Sequence, residues 1–142
     1  MSAFILDPVL LQNSFLLGRT ALCHVLLADN AALPWFMLVP ETTAVELCDL
    51  DPATHATLFE EIHLLGRALR GTFAVDKLNV AAIGNVVRQL HVHIVGRRSD
   101  DYCWPDVVWG RAPPERYSAA RVAALGIWVA TALPGRFTPR RD

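Results

Sequence analysis

The sequence is poor in lysine and has no excess of either charge. Lys77 is the single lysine among 13 basic residues, which stand against 14 acidic ones and give a net charge of −1. Proteins that bind nucleic acid polymers usually carry a strong basic excess. The composition therefore gives no indication of a nucleic acid polymer as partner.

Cysteine is also scarce. Cys23, Cys48 and Cys103 are widely spaced, odd in number and never arranged as Cys-x-x-Cys. This pattern predicts neither a disulfide framework nor a zinc knuckle. A reducing compartment, the cytoplasm, is the simplest expectation.

Long apolar runs are missing as well. Residues 1–7 lack the basic start and apolar run of a signal peptide, and the most apolar stretch, residues 122–133, is too short to span a bilayer. No membrane contact is expected. The 142 residues, 53% of them hydrophobic, predict one domain over 1–142, with residues 132–142 as a flexible or dimer-packing tail.

What is present is a succession of short strands and two helices. A short helix is predicted over Asp7–Gln12, with Asp7 as its cap, and strands are predicted over residues 14–17, 22–28, 35–39, 77–83 and 89–95. A C-terminal helix is predicted over residues 118–133, capped by Ser118, after an irregular loop at 100–116. This order predicts an α+β domain with helices packed against an antiparallel sheet.

The helix predicted with the clearest signals spans residues 51–70. Asp51 suits the N-cap, Pro52 suits the first helical position, and Gly71 suits a C-terminal stop. Apolar residues at helical spacing form one face. Glu60 and Glu61 are expected on more exposed sides.

The chemistry is concentrated in the run Gln89–Arg97, which contains two histidines two residues apart. Side chains alternate between the two faces of a strand. One face should therefore be apolar and pack on the core, and it comprises Leu90, Val92 and Ile94. The other face should line a cleft or meet solvent, and it comprises Gln89, His91 and His93.

Three interpretations of the two histidines remain open from these residues. They are exposed polar residues, or a metal-binding pair, or a nucleophile with an assisting imidazole. A metal site would need one or two further ligands, and the remaining histidines sit in no recognisable ligand pattern: His24, His55 and His63. Imidazole attacks phosphorus well near neutral pH because it is uncharged and nucleophilic.

The neighbouring residues favour a phosphate site. Gly84-Asn85 forms a bend close to the histidines, and such bends present backbone N–H groups to phosphate oxygens. Arg88, Arg97 and Arg98 supply positive charge, although strand alternation places only Arg97 on the histidine face.

At this point the sequence resembles the histidine-triad (HIT) superfamily. Its motif, His-φ-His-φ-His-φ-φ with φ apolar, matches residues 89–95, with Gln89 in place of the first histidine. Residues 78–80 and 84–87 look like the Asn- and Gly-containing hairpin before the motif. Residues 34–40 look like the family's apolar strand ending in proline. Trp104-Pro105 resembles a Trp-Pro pair that follows the motif in one branch of the family. The resemblance covers Leu22 to Pro105.

The resemblance implies a HIT-like α+β fold with about five antiparallel strands, in a homodimer. It implies a nucleotide hydrolase or transferase that acts on nucleoside phosphoramidates, dinucleoside polyphosphates or related conjugates without a cofactor. His91 would attack the α-phosphorus and become nucleotidylated, and His93 would bind a phosphate oxygen. The backbone carbonyl of Gln89 would orient the ring of His91. The substrate-binding residues expected beside these two are Gln89, Asn85, Gly84, Asn79, Asp29 and Arg97.

The sequence also departs from the family pattern. Gln89 cannot take up a proton, and Trp35 stands where many members have an upstream histidine. Val86 cannot supply the hydroxyl that often contacts the leaving group, and Asn85 stands where Gln is common. These departures keep two alternatives open: a nucleotide-binding protein with little or no catalysis, and a metal-binding domain using His91 and His93. For Asp29 and Asn30, a ribose contact and an Asx turn are equally open.

Overall fold

The computed structural model describes residues 3–141. Its strands are β1 (Ser14–Arg19), β2 (Cys23–Ala28), β3 (Trp35–Pro40), β4 (Lys77–Ala81), β5 (Val92–Arg97) and β6 (Thr138–Pro139). They form one sheet in the order β4-β5-β3-β2-β1-β6, with antiparallel neighbours throughout. The helices are α1 (Pro52–Thr72) and α2 (Ala119–Ala132), and short 3₁₀ turns cover Pro8–Leu11 and Leu47–Asp49. The α+β prediction is confirmed.

The main core lies between one face of the sheet and the two helices. It includes Val92 and Ile94 from β5, as strand alternation predicted, together with buried residues from the other elements: Val25, Leu27, Phe36, Leu38, Leu58, Leu65, Leu69, Leu125 and Val129. Burying this apolar face is the main driving force that holds the helices on the sheet. The opposite face of the sheet is left for the N-terminal segment and for the candidate site.

Helix α1 begins as predicted and ends later than predicted. The Asp51 carboxylate accepts a hydrogen bond from the Thr54 N–H at 3.0 Å and caps the helix. Gly71 does not stop the helix, which continues to Thr72. Gly71 has no positive φ, and the helix ends where Phe73 packs against the core. Packing of Phe73, not glycine chemistry, thus sets the end.

Glu61 corrects a second expectation. Its side chain is only 2% exposed, because it lies on the same helical face as Leu58 and Leu65, three and four residues away. It faces Cys23, whose thiol pKa is raised by burial and by the negative charge of Glu61. Glu61 is therefore part of the helix–sheet interface rather than of the solvated surface.

The C-terminal segment contributes the sixth strand. Thr138 and Pro139 pair with Arg19 and Gly18, so part of residues 132–142, expected as a flexible or dimer-packing tail, lies on the chain's own sheet. A Cβ atom on Gly18 would meet the Thr138 carbonyl oxygen at 2.3 Å. The missing side chain of Gly18 is what permits this approach.

Strand β5 begins three residues later than predicted, at Val92 instead of Gln89. Strand β4 ends at Ala81 instead of Ile83. The ten residues between the two strands belong to neither strand, and among them Gln89 is held by hydrogen bonds to Asp7 and Ile5. Neither helix within residues 3–141 is long and apolar enough to cross a membrane.

Candidate functional site

His91 lies immediately before β5 and is 7% exposed. Its ring Nδ1 lies 2.7 Å from the backbone carbonyl oxygen of Gln89. A carbonyl only accepts hydrogen bonds, so Nδ1 carries the proton and Nε2 of the neutral ring keeps its lone pair. The orienting bond predicted from the sequence is present, and it leaves a nucleophilic nitrogen free.

His93 lies in β5 next to His91, with 4.9 Å between the ring centroids, and is also 7% exposed. Its Nδ1 accepts a hydrogen bond from the indole Nε1 of Trp35 at 3.0 Å. The Trp109 ring packs against it edge-on at 5.3 Å. Burial, and to a lesser extent the neighbouring His91, lower the pKa of His93 to about 4. The ring is therefore neutral at physiological pH.

Both histidines line a cleft of about 460 Å³, termed the larger cleft. It opens on the sheet face opposite the helices. Most of its remaining lining comes from the N-terminal segment, strands β2 and β3, and the loop before α2: Val9, Leu10, Asn13, Ala28, Asp29, Asn30, Trp35, Met37, Arg111, Ala112, Pro113 and Arg116. An apolar wall with a few polar groups is typical of a small-molecule binding site.

A second cleft of about 270 Å³, termed the smaller cleft, also reaches His91. Gly84, Asn85 and Arg88 line it together with Glu46 and other residues. Gly84 has φ +66°, a conformation that glycine adopts without strain. None of the amides of residues 84–88 donates a hydrogen bond within residues 3–141. His91 thus lies between a largely apolar cleft and one lined by both Arg88 and Glu46.

The position of Arg88 differs from the prediction made by strand alternation. Alternation excluded Arg88 from the histidine face, yet Arg88 lines the smaller cleft beside His91. The reason is that β5 starts only at Val92, so the alternation of a strand does not apply to residues 88–91.

Arg97 and Asn79 line neither cleft. The Arg97 side chain is 1% exposed, and its Nε and Nη2 donate to the Asp101 carboxylate at 2.8 and 3.1 Å. Its Nη1 donates to the Asn79 side chain at 2.9 Å. Hydrogen bonds from Arg97 and from the backbone lower the pKa of Asp101 to about 2, despite its burial. These residues tie β4, β5 and the following loop together.

The Gln89 side chain turns toward the N-terminal segment. Its amide oxygen accepts a hydrogen bond from the Asp7 N–H at 2.8 Å, and its amide nitrogen donates to the Ile5 carbonyl at 2.8 Å. This pairing holds the extended segment in front of the 3₁₀ turn that lines the larger cleft with Val9 and Leu10. Gln89 therefore contacts the site through its backbone carbonyl and through this segment.

Asp29 and Asn30 both reach the larger cleft, and both also have structural partners. The Asp29 carboxylate accepts hydrogen bonds from the Tyr117 N–H at 2.9 Å and from Arg116 at 3.3 Å. The Asn30 oxygen accepts from the Ala32 N–H at 3.1 Å, which is the Asx turn that the sequence left open. Asp29 therefore lines the cleft with a carboxylate that is already hydrogen-bonded to Tyr117 and Arg116.

Several cleft residues could not be predicted from sequence patterns. Val9 and Leu10 come from a 3₁₀ turn about 80 residues before His91, and Arg111, Pro113 and Arg116 come from a loop without periodicity. Only the tertiary fold brings these segments together. Within residues 3–141, no three His, Cys, Asp or Glu side chains lie close enough together to hold a metal ion.

Comparisons with known proteins agree with this architecture. A family model described as HIT domain matches residues 11–100. The structure of a histidine triad protein from Bradyrhizobium japonicum is 39% identical, with a TM-score of 0.85 over 92% of this chain and 98% of that one. A histidine triad protein from Marinobacter aquaeolei VT8 is 34% identical, with a TM-score of 0.86 over 93% and 97%. One from Sinorhizobium meliloti 1021 is 32% identical, with a TM-score of 0.86 over 92% and 97%. No curated protein sequence matches the chain significantly.

Proposed function

Because the chain belongs to the HIT domain family, we propose that it is a nucleotide hydrolase or transferase that works through a nucleotidyl-histidine intermediate on His91. One observation carries the proposal. The Gln89 carbonyl oxygen lies 2.7 Å from Nδ1 of His91 and can only accept a hydrogen bond, so Nδ1 is the donor and Nε2 is the ring nitrogen left for a substrate beside the two clefts. Substrates of the expected class are nucleoside phosphoramidates, dinucleoside polyphosphates and related nucleotide conjugates.

The chemistry proceeds in two displacements. Nε2 of His91 attacks the α-phosphorus, an N–P bond forms, and the bond to the leaving group breaks with its electron pair on the leaving group, which takes up a proton from solvent when it is an amine. Water then attacks the same phosphorus and loses a proton to solvent, and the N–P bond breaks to release a nucleoside monophosphate and free His91. An acceptor alcohol or amine in place of water would give transfer instead of hydrolysis.

In this proposal the nucleoside and the leaving group of the substrate occupy different clefts. The larger cleft suits the nucleoside, with Asp29 near the ribose, because its walls are largely apolar. The smaller cleft suits the leaving group, because Arg88 and the backbone amides around Gly84 and Asn85 offer donors that balance the carboxylate of Glu46 in the same lining. Asn79 and Arg97 support the site from a distance by fixing β4 and β5, and Gln89 supports it through its carbonyl.

Replacement of His91 tests the proposal. Adenosine phosphoramidate and diadenosine tetraphosphate are each incubated with the wild type, with His91→Ala and with His55→Ala, a matched change of an exposed histidine on α1. His91→Ala should lower the rate of AMP release at least about 1,000-fold, and His55→Ala should leave it unchanged. Intact-protein mass spectrometry of the quenched wild type should show a nucleotidyl adduct. Equal rates for the wild type and His91→Ala would overturn the assignment.

A second candidate is a nucleotide-binding protein without efficient catalysis. Two features favour it: Gln89, which we infer replaces the first histidine of the triad, cannot carry a proton, and Val86, which is 89% exposed, offers no hydroxyl for a leaving group. Calorimetric titration with AMP separates the two candidates. Micromolar binding without turnover of any of the conjugates would favour the second.

The metal-binding alternative has weaker support. The Nδ1 atoms of His91 and His93 are both engaged, by Gln89 and Trp35, so only one nitrogen of each ring remains. A stable zinc site normally needs at least three protein ligands, and residues 3–141 offer no cluster of that size.

We propose that the protein acts as a homodimer in the cytoplasm. Strand β4 forms one edge of the sheet, and the apolar side chains of Val80 in β4 and of Ile83 just after it are 48% and 41% exposed. Exposed apolar side chains at a sheet edge are typical of protein interfaces. Cys23, Cys48 and Cys103 are free thiols, consistent with a reducing compartment.

A further inference from the structure

Trp35 offers His93 a hydrogen-bond donor but no acceptor. It begins β3, which pairs with β5, and its Nε1 lies 3.0 Å from Nδ1 of His93. An indole N–H can donate but cannot accept. Nδ1 of His93 must therefore be the unprotonated nitrogen, and the single proton of the neutral ring must lie on Nε2.

The surroundings of His93 oppose a second proton on its ring. The side chain is 7% exposed and packs against the rings of Trp35, Trp109 and His91. A proton on Nδ1 would point at the indole N–H and destroy the hydrogen bond. The other ionisable groups of the larger cleft have partners of their own, since Asp29 pairs with Arg116 and Arg111 pairs with Asp106.

His91 and His93 are held as opposite tautomers by opposite kinds of partner. The Gln89 carbonyl fixes the proton of His91 on Nδ1, and the Trp35 indole fixes the proton of His93 on Nε2. One ring thus keeps a lone pair for a ligand and the other keeps an N–H. A phosphoryl group under attack needs both, a nucleophile at phosphorus and a donor to an oxygen on which negative charge develops.

We propose that Trp35 is a positioning residue that holds His93 as the Nε2–H tautomer, so that His93 donates a hydrogen bond to an oxygen of the phosphoryl group that His91 attacks. The role in the reaction rests on the proposed function. The tautomer itself rests only on the contact between Trp35 and His93.

The chemistry of tryptophan explains why other residues would not serve equally. A phenylalanine would fill the space without donating, and His93 would then exchange between tautomers. A histidine or glutamine could donate or accept, so neither would enforce one state. Tryptophan at position 35, where many members of the family have a histidine, therefore restricts the His93 ring to one tautomer.

The test compares Trp35→Phe with Trp109→Phe. Both variants exchange an indole for a phenyl ring against His93, but the Trp109 indole N–H is buried without a hydrogen-bond partner in the structure. Only Trp35→Phe removes a hydrogen bond to the ring. Side-chain ¹⁵N NMR of His93, measured without nucleotide, reports the tautomer directly.

The wild type and Trp109→Phe should show an unprotonated Nδ1 and a protonated Nε2, and Trp35→Phe should show averaged nitrogen shifts. With a nucleotide conjugate, Trp35→Phe should lower kcat roughly tenfold, with a smaller effect on KM. In a His93→Ala background, Trp35→Phe should cause no further loss of kcat, because the residue through which it acts is gone.

An unchanged His93 spectrum in Trp35→Phe, or an equal change in Trp109→Phe, would overturn the proposal. An additive loss of kcat in the His93→Ala background would overturn the role of Trp35 in the reaction. A wild-type protein that shows the expected tautomer but turns over no conjugate would refute the proposed function and leave the assignment of the tautomer standing.

Discussion

Gln89 uses its main chain and its side chain for different tasks. The carbonyl orients His91, and the side-chain amide pairs with the backbone at Ile5 and Asp7. A primary amide has a donor and an acceptor side by side, as a peptide group does, and can therefore pair with an extended segment. The two ring nitrogens of an imidazole point in different directions and could not make the same pair of bonds.

Replacing Gln89 should separate these tasks. Gln89→Ala retains the carbonyl and loses the bonds to the N-terminal segment, so the wall formed by Val9 and Leu10 should loosen. We expect AMP to bind roughly fivefold more weakly, with little change in kcat. Calorimetry and steady-state kinetics measure the two effects. A loss of kcat as large as that of His91→Ala would show that the side chain takes part in the chemistry.

The lowered pKa of His93 predicts how stability depends on pH. The unfolded chain protonates this histidine below pH 6.5, and the folded protein does so only below about pH 4. The unfolded state therefore binds more protons in this range, and the free energy of unfolding should fall as the pH falls from about 6.5 to 4. Relative to His93→Asn, the wild type should lose about 2–3 kcal/mol more between pH 7 and pH 4.5. Urea unfolding at both pH values measures this, and equal losses would contradict it.

At the residue scale, the contact predicted through the family resemblance joins two residues that are close together in the chain. The bond from His91 to the Gln89 carbonyl spans two residues, and the motif frame was enough to predict it. The burial of Arg97 against Asp101 and Asn79 could not be predicted, because it depends on how a loop folds back onto β4 and β5. The role of Trp35 needed the pairing of β3 with β5, which single-sequence patterns do not supply.

At the scale of elements, strand and helix positions follow the sequence, and their ends follow tertiary contacts. All five predicted strands and both long helices are present, and Asp51 and Ser118 cap the helices as expected. Gly71 did not end α1, and β5 did not begin at Gln89. In both cases a side chain, Phe73 or Gln89, is engaged in contacts with distant residues, and local propensity carries no information about such contacts.

Two glycines make a matched test of packing in these elements. A Cβ on Gly96 in β5 would meet Val75 at 2.8 Å and Pro34 at 2.9 Å, whereas a Cβ on Gly71 in α1 would meet nothing within 4 Å. Gly96→Ala should destabilise the protein by about 1–3 kcal/mol through overpacking. Gly71→Ala should stabilise it by about 0.5–1 kcal/mol, because alanine favours a helix. Thermal or urea unfolding gives both values. A destabilised Gly71→Ala would indicate a role for this glycine outside the helix.

On the scale of the whole molecule, the two edges of the sheet differ. The C-terminal β6 is a two-residue strand that covers β1 on one side, and β4 bounds the other side next to α1. Leu78 and Val80 of β4, together with Ile62 and Gly66 of α1, line a shallow groove at that edge. The proposed homodimer would bury this groove, and the sequence predicted the dimer through the family resemblance alone.

A charge at this edge should break the dimer. Val80→Lys places an ammonium on the exposed side of β4, where lysine discourages pairing between edges. Sedimentation velocity should show a dimer for the wild type and a monomer for Val80→Lys. Ile127→Lys is the control, since Ile127 is 74% exposed but lies on α2. A monomeric Ile127→Lys with a dimeric Val80→Lys would move the interface to α2.

The link between Gln89 and the N-terminal segment also bears on the order in which the protein is built. The Asp7–Gln89 bond joins residues 82 positions apart, and the bond from the Tyr117 amide to Asp29 joins residues 88 positions apart. A chain growing on the ribosome has made the first cleft wall long before it makes the histidines, and it makes the Arg111–Arg116 wall last. Closing such long loops is entropically costly until the sheet holds their ends together. The larger cleft is therefore completed late, only when residues 111–116 have been synthesised and have joined the N-terminal segment on the sheet.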